Sequence, residues 1–292
     1  MSAIRLRRSN RPTLAALDGG GAILQRRLRD VMLGAAIILV PTVAINLWAT
    51  VVSFERFDPD DSLLPTMSTD TIGAGVEDVA AWLGVVFVSA VTAVLGFFAA
   101  QILLGERFVN PVPLRQALLA TLRRAPAVLA LWVLTHWWAP LLSWLMLTGD
   151  NDDLGGYVTL YLLAAWFASA FTLLAVPAMV GERLGPVGAA VRAFRLARMR
   201  FGSCLGFVLL STVLGGAFLF GLATLAPLLE VTGFIGFGDF AWLVQGVLVQ
   251  FGVLLVMPLI ALATAQLYLE VRLDAEALDL VIDTDAAFGL RA

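Results

Sequence analysis

GPVGAAVRAFRLARMRFGSC, residues 185–204, carries Arg192, Arg195, Arg198 and Arg200 with no acid among them and lies between two long apolar runs. The runs cover residues 154–181 and 201–229 and hold no charged side chain. Working outward, further uncharged runs cover residues 31–54, 79–105, 125–149 and 240–269. Each exceeds the roughly 20 residues that a helix needs to cross a hydrocarbon layer about 30 Å thick. Sixty percent of the residues are hydrophobic and 14% are charged, against about 45–50% and about 25% in soluble domains. A soluble core has no room for six such helices, and barrel strands alternate apolar with polar residues, which these runs do not. The expectation is an all-α polytopic membrane protein with six transmembrane helices and interfacial amphipathic helices on the cytoplasmic side.

Charge sets the threading. The chain has 19 arginines and no lysine. Seven precede the first run, and Arg107, Arg115, Arg123 and Arg124 lie between the second and third. Arg183 joins the four quoted above between the fourth and fifth, and two more follow the sixth. The remaining loops hold Arg56 and many acids, including Asp58, Asp60, Asp61, Asp150, Asp152 and Asp153. Arginine stays on the cytoplasmic side during insertion, so both termini are expected inside. An even number of spans requires the same. The division is then a cytoplasmic segment over residues 1–30 with its own amphipathic helix and no cleaved leader, a transmembrane domain over residues 31–269, and a cytoplasmic tail over residues 270–292. Arginine without lysine, beside abundant alanine and glycine, points to a GC-rich bacterium and its cytoplasmic membrane.

The quoted stretch has an upstream counterpart. Residues 105–134 and 181–210 both open on Gly-Glu-Arg, pass a Pro-Val pair and continue through arginines into a span. Residues 14–41 are a fainter copy, which suggests an internal repeat. At 100° per residue Pro186, Val187, Ala190, Val191, Phe194, Ala197 and Phe201 share a stripe, with Arg192, Arg195 and Arg200 off it and Arg198 flanking. Leu17, Leu24, Leu28 and Val31 do so in the first copy, and Leu114, Leu118 and Leu122 in the middle one, where Leu119 does not fit. These patterns predict helices near residues 111–124 and 186–200 lying in the cytoplasmic interface, apolar face toward the lipid. Arg115, Arg123, Arg124, Arg192, Arg195, Arg198 and Arg200 are the candidate contacts to anionic phospholipid. The simpler reading makes them topogenic only.

Little else suggests chemistry. His136, the only histidine, stands beside Trp137 and Trp138 and reads as part of an aromatic belt. The acidic loops lack the EF-hand spacing, since Leu154 and Tyr161 occupy ligand positions. Gly233, Gly236 and Gly238 read as a turn rather than a dinucleotide fingerprint. Cys204 is alone, so no disulfide forms within the chain. No nucleophile and base can be paired, so no enzymatic activity, cofactor, metal or nucleic acid is expected. Glu106 and Glu182, each where a span exits, are expected to pair with an arginine of their own interfacial helix. Pro41, Pro140, Pro177 and Pro258 free backbone carbonyls and either shape a cavity or make plain bends. Ser211 with Gly215, and Ala217 with Gly221, allow close packing of span five within the chain or against a second copy.

Residues 176–199, VPAMVGERLGPVGAAVRAFRLARM, resemble a stretch of the bacterial glycerophosphoryl diester phosphodiesterase membrane-domain family through Pro177, Val180, Glu182, Gly185, Pro186, Ala189, Arg192 and Leu196. The segment around RPTLAALDGG and ILQRRLRD resembles its opening. YLEVRLDAEALDLVI, residues 268–282, resembles its closing, with Glu270 in place of the usual aspartate and Ala277 in place of a glycine. The resemblance implies a six-span bundle with interfacial helices, in which Pro177, Glu182, Gly185 and Arg192 are structural. That family's fused catalytic domain has no counterpart here, so the resemblance carries no activity. The leading expectation is a non-enzymatic scaffold or accessory for envelope or lipid-related components, touching anionic lipid and a membrane-protein partner or a second copy. The alternative is a carrier of a lipid or small amphiphile, with Asn46, Gln101, Thr135, Gln245 and Gln250 along its path. Convergence of these on one cavity favours the alternative, and scatter, or use as helix caps, favours the scaffold.

Overall fold

The computed structural model describes residues 10–54, 76–108, 110–148, 154–236 and 241–278. The acidic loops with Asp58, Asp60, Asp61, Asp150, Asp152 and Asp153, together with Gly238 and the last fourteen residues, lie outside the described residues. The described chain is helical: α1 (Pro12–Arg26), α2 (Leu28–Phe54), α3 (Val76–Arg107), α4 (Leu114–His136), α5 (Trp138–Thr148), α6 (Leu154–Thr172), α7 (Ala175–Gly181), α8 (Pro186–Met199), α9 (Phe201–Val231) and α10 (Ala241–Glu276). Six stretches are long and apolar enough to cross a membrane: Leu28–Ile45, Val86–Arg107, Leu114–His136, Thr159–Gly181, Phe201–Val231 and Leu243–Glu276. The chain is an all-helical, six-span membrane protein by length and composition.

α10 is the hub, touching α1, α2, α3, α7, α8 and α9, and its most extensive packing is with the short α1. Glycine makes that crossing close. A Cβ on Gly20 would stand 2.6 Å from the Ala263 nitrogen, and one on Gly34 would run into the Phe98 ring at 2.1 Å. Between apolar helices in lipid, such van der Waals fit replaces the hydrophobic effect as the packing force.

Three boundaries differ from expectation. The arginine segment 111–124 is not a separate helix, because α4 runs without a break through Arg115, Arg123, Arg124 and Pro126 to His136. Its buried residues Ala117, Thr121, Val128, Leu131 and Thr135 fall on one stripe at 100° per residue, and that face stays seated across the proline. The expected fourth span is two helices, α6 and α7. Pro177 has no N–H for the Leu173 carbonyl, and its ring crowds that oxygen. Finally, α10 continues to Glu276, so residues 270–276 extend a spanning helix rather than open a tail. At about 1.5 Å per residue its 36 residues reach about 54 Å, well past the hydrocarbon.

The stripes read as lipid-facing are placed by burial. In α8, Val187, Val191 and Phe194 are 65%, 46% and 51% exposed, whereas Ala189, Ala193 and Leu196 are fully buried. Leu119 and Leu122 of α4 are likewise exposed, and Ala117 is buried. In α1 the buried residues are Ala16, Gly20 and Ile23, with Leu17 and Leu24 partly buried against the core and Leu28 exposed. Of the small pairs in α9, Gly215 is buried, and a Cβ there would stand 3.5 Å from Ile260 of α10, while Ala217 and Gly221 are exposed.

Candidate functional site

Two polar assemblies stand out. The first lies where the arginine-bearing junctions meet the charged end of α10. Glu182, just past α7, shares the single Nε hydrogen of Arg192 between its two oxygens, at 2.8 Å to Oε1 and 2.9 Å to Oε2. The Tyr268 hydroxyl donates to the same Oε1 at 2.9 Å, and Arg272 stands 3.7 Å away. Arg192 also pairs with Glu276, to which Arg272 donates at 2.9 Å. Glu182 and Arg192 are therefore joined to Tyr268, Arg272 and Glu276 of α10. Pro177 is buried in the first turn of α7, and Gly185 is the N-cap of α8. Arg183, with φ 54°, takes the left-handed conformation that ends a helix sharply.

Glu106 pairs differently from expectation. Its partner is Arg27, from the α1–α2 junction, at 2.7 Å, and not an arginine of the following segment. Arg27 also donates to Asp30 at 2.9 Å and to the Val112 carbonyl at 3.0 Å, and so joins three parts of the chain. Arg115, Arg123 and Arg124 of that segment are exposed. Arg107 donates to Gln266, which donates to Glu270 at 2.8 Å. Burial opposes the charges on Arg27 and Arg192, but hydrogen bonds to Glu106 and Asp30, and to Glu182 and Glu276, outweigh it. Both guanidinium pKa values stand above the ordinary one.

The quoted arginines thus divide. Arg192 is half-buried in the cluster, and Arg200 pairs with Asp274 at 3.1 Å. Arg195 and Arg198 are exposed. On the 100° projection Arg198 falls in the outward stripe of Val187, Val191 and Phe194, and Arg195 beside it.

The second assembly is a cavity of about 760 Å³ among α3, α4, the α6–α7 junction and α10, in the half of the bundle away from the ionic cluster. Much of its wall is aliphatic. α3 contributes Ser89 and Thr92, α4 contributes Trp132, Thr135 and His136, the α6–α7 junction contributes Thr172, and α10 contributes Gln250 and Thr264. Pro177 lines it at the α6–α7 break. α4 ends at His136, whose carbonyl Pro140 cannot engage for want of an N–H. The two prolines make breaks that open onto this space. His136 is stacked between Trp132 and Trp138, with ring centroids 6.5 Å and 6.3 Å away, and its Nδ1 lies 2.8 Å from Thr135 Oγ1. Gln250 also lines a second cavity of about 300 Å³ against α2.

Of the expected path residues, Thr135 and Gln250 converge here. Gln101 instead donates to Thr121 at 3.0 Å and ties α3 to α4. Gln245 is not in the wall, and the Asn46 side chain lies outside the described ones. Sequence reasoning missed Ser89, Thr92, Thr172 and Thr264, which look like ordinary small residues of apolar helices. It also missed Tyr268, Arg272 and Glu276, whose four-residue spacing was a usable helix signal. Among the described residues no three His, Cys, Asp or Glu side chains gather as for a metal.

Fold and site define a polytopic helical membrane protein with an ion-paired end and an intramembrane cavity. No family model, no curated protein and no solved structure matches the chain.

Proposed function

We propose that the protein takes an amphiphile, a lipid or a lipid-like small molecule, from the bilayer into the cavity bounded by α3, α4, α7 and α10, and acts as a carrier or a handling accessory without catalysis. The supporting observation is the convergence of polar, uncharged side chains from four parts of the chain on one largely aliphatic cavity. A concave apolar space with a few polar groups is the usual form of a small-molecule site. In this reading the ion-paired end is a clamp that holds the helices around the cavity and faces the cytoplasm of a bacterial cell.

The test is retention of lipid through purification. Wild-type protein is expected to carry a bilayer amphiphile, seen by mass spectrometry of the intact protein. Thr92→Phe, which fills the cavity, is expected to lose most of it while melting as a folded protein. Equal retention by both would remove the cavity as the binding site. Passage of a fluorescent acyl probe between liposome leaflets then separates carriage from storage.

The scaffold reading keeps one observation of its own: the outward α8 face, with its apolar stripe and exposed Arg195 and Arg198, suits an anionic leaflet.

A further inference from the structure

The hydrogen-bond directions in the cavity say more about its ligand. Thr135 aside, whose oxygen is shared with His136 Nδ1 at 2.8 Å, Thr92, Thr172 and Thr264 each donate the hydroxyl hydrogen to a carbonyl one turn back in their own helix, of Val88, Ala168 and Ile260, at 2.7–2.9 Å. A hydroxyl has one hydrogen, so these groups turn only lone pairs to the space. Ser89 Oγ accepts from Trp132 Nε1 at 2.9 Å and keeps its own hydrogen to donate. Gln250 is the opposite case: Oε1 is buried without a partner, and its amide bonds no described residue. Its two N–H groups are therefore donors, as are the Ser89 hydroxyl and the His136 ring, in a wall where the oxygens of Thr92, Thr172 and Thr264 act as acceptors. Among the described residues no Arg, Asp or Glu lines the space.

We infer that the cavity selects an uncharged amphiphile with a free hydroxyl head, of the diacylglycerol or long-chain alcohol kind, with Gln250 as the residue that recognises the head. The inference rests on the cavity reading above. The ligand hydroxyl donates to a threonine oxygen and accepts from the Gln250 amide nitrogen, and so uses both kinds of group in the wall. A phosphate head would bring charge into a space with no cation to meet it, and desolvation excludes it. An acetylated head can accept but not donate. The smaller cavity, lined by aliphatic residues of α2 and α10 around the same glutamine, receives part of the chain.

The experiment offers the purified full chain, stripped of endogenous lipid, three glycerolipids with identical acyl chains: 1,2-diacylglycerol, its 3-acetyl ester and phosphatidic acid. Occupancy is read by mass spectrometry of the intact protein. Diacylglycerol is expected to bind on the order of tenfold tighter than the ester, as one satisfied hydrogen bond in a dry site allows. Gln250→Leu should lower the affinity for diacylglycerol and for the ester by similar factors, since both heads accept from the amide, and leave the preference for diacylglycerol in place. Gln250→Asn, which keeps the amide, should recover part of the loss. Equal binding of diacylglycerol and ester, or preference for phosphatidic acid, overturns the hydroxyl inference while leaving the cavity reading intact if Thr92→Phe still blocks binding. Failure of all three lipids to bind in a Thr92-sensitive way overturns both.

Discussion

Glu182 receives bonds from α8 and α10 while itself standing at the end of α7, so one carboxylate sets the angles among three helices. The side chains of Glu182 and Arg192 are each 21% exposed, which leaves them far less hydrated than a surface pair worth about 0–1 kcal/mol. Removing one member of a desolvated pair leaves the other charge uncompensated, and that costs more than the pair contributes. Glu182→Ala strands Arg192 and Arg272 with only Glu276 between them. It is expected to destabilise the protein by about 1–3 kcal/mol, while Arg195→Ala, at an exposed position, changes stability by less than about 0.5 kcal/mol. Melting in detergent, followed by loss of solubility, checks both. Similar melting of the two variants would mean that the cluster is not a clamp. The Glu182–Arg192 pair was legible because only ten residues, from the end of one helix into the next, separate its members. The Glu106–Arg27 pair was not, since 79 positions separate its members and only the fold brings them together.

At the scale of the element, α8 separates roles that its charge pattern runs together. Arg192 is held half-buried by Glu182 and Glu276, and Arg200, though exposed, is tied to Asp274. Arg195 and Arg198 stand at the outward stripe, and near an anionic leaflet each contributes about 1 kcal/mol. The double variant Arg195→Ala with Arg198→Ala is expected to weaken association of the solubilised protein with anionic vesicles by on the order of tenfold, with melting unchanged. Arg192→Ala should do the reverse, lowering the melting point with little change in vesicle binding. Loss of vesicle binding in Arg192→Ala alone would reassign the lipid contact. This division was hidden for a physical reason. In water the large apolar stripe of an amphipathic helix turns inward, so Val187, Val191 and Phe194 look like the packed face. Here the outside is apolar too, helix contact is won by closeness, and the alanine face is the one that packs. The same rule placed Ala16 and Gly20 of α1 inward. Six apolar helices needed no such knowledge, because length and absence of charge are one-dimensional properties; the cavity, which depends on where α6 and α4 break, did.

For the whole molecule the question is where the hydrocarbon begins. α4 carries Arg115, Arg123 and Arg124, all exposed, inside one continuous helix. A guanidinium at the bilayer centre costs about 2.5–3.5 kcal/mol on insertion scales, so the boundary is placed just beyond Arg124. From there α4 has twelve residues left, or about 18 Å at 1.5 Å each, too short for a layer of about 30 Å. The eleven residues of α5 supply about 16 Å more, so the third crossing is completed across the break at Trp137. α10, with both its length and its charges at one end, agrees on which end stays outside the hydrocarbon. Retention of arginine on the inner side then predicts that Arg195→Cys is labelled by a membrane-impermeant maleimide only after the inner face is opened. Gly156→Cys, an exposed position at the start of α6 with open space around it, should be labelled from outside in intact cells. The native thiol Cys204 is buried and gives little background. Labelling of both positions from the same side would break the six-crossing arrangement, while exchange of the two sides would keep the crossings and invert the protein.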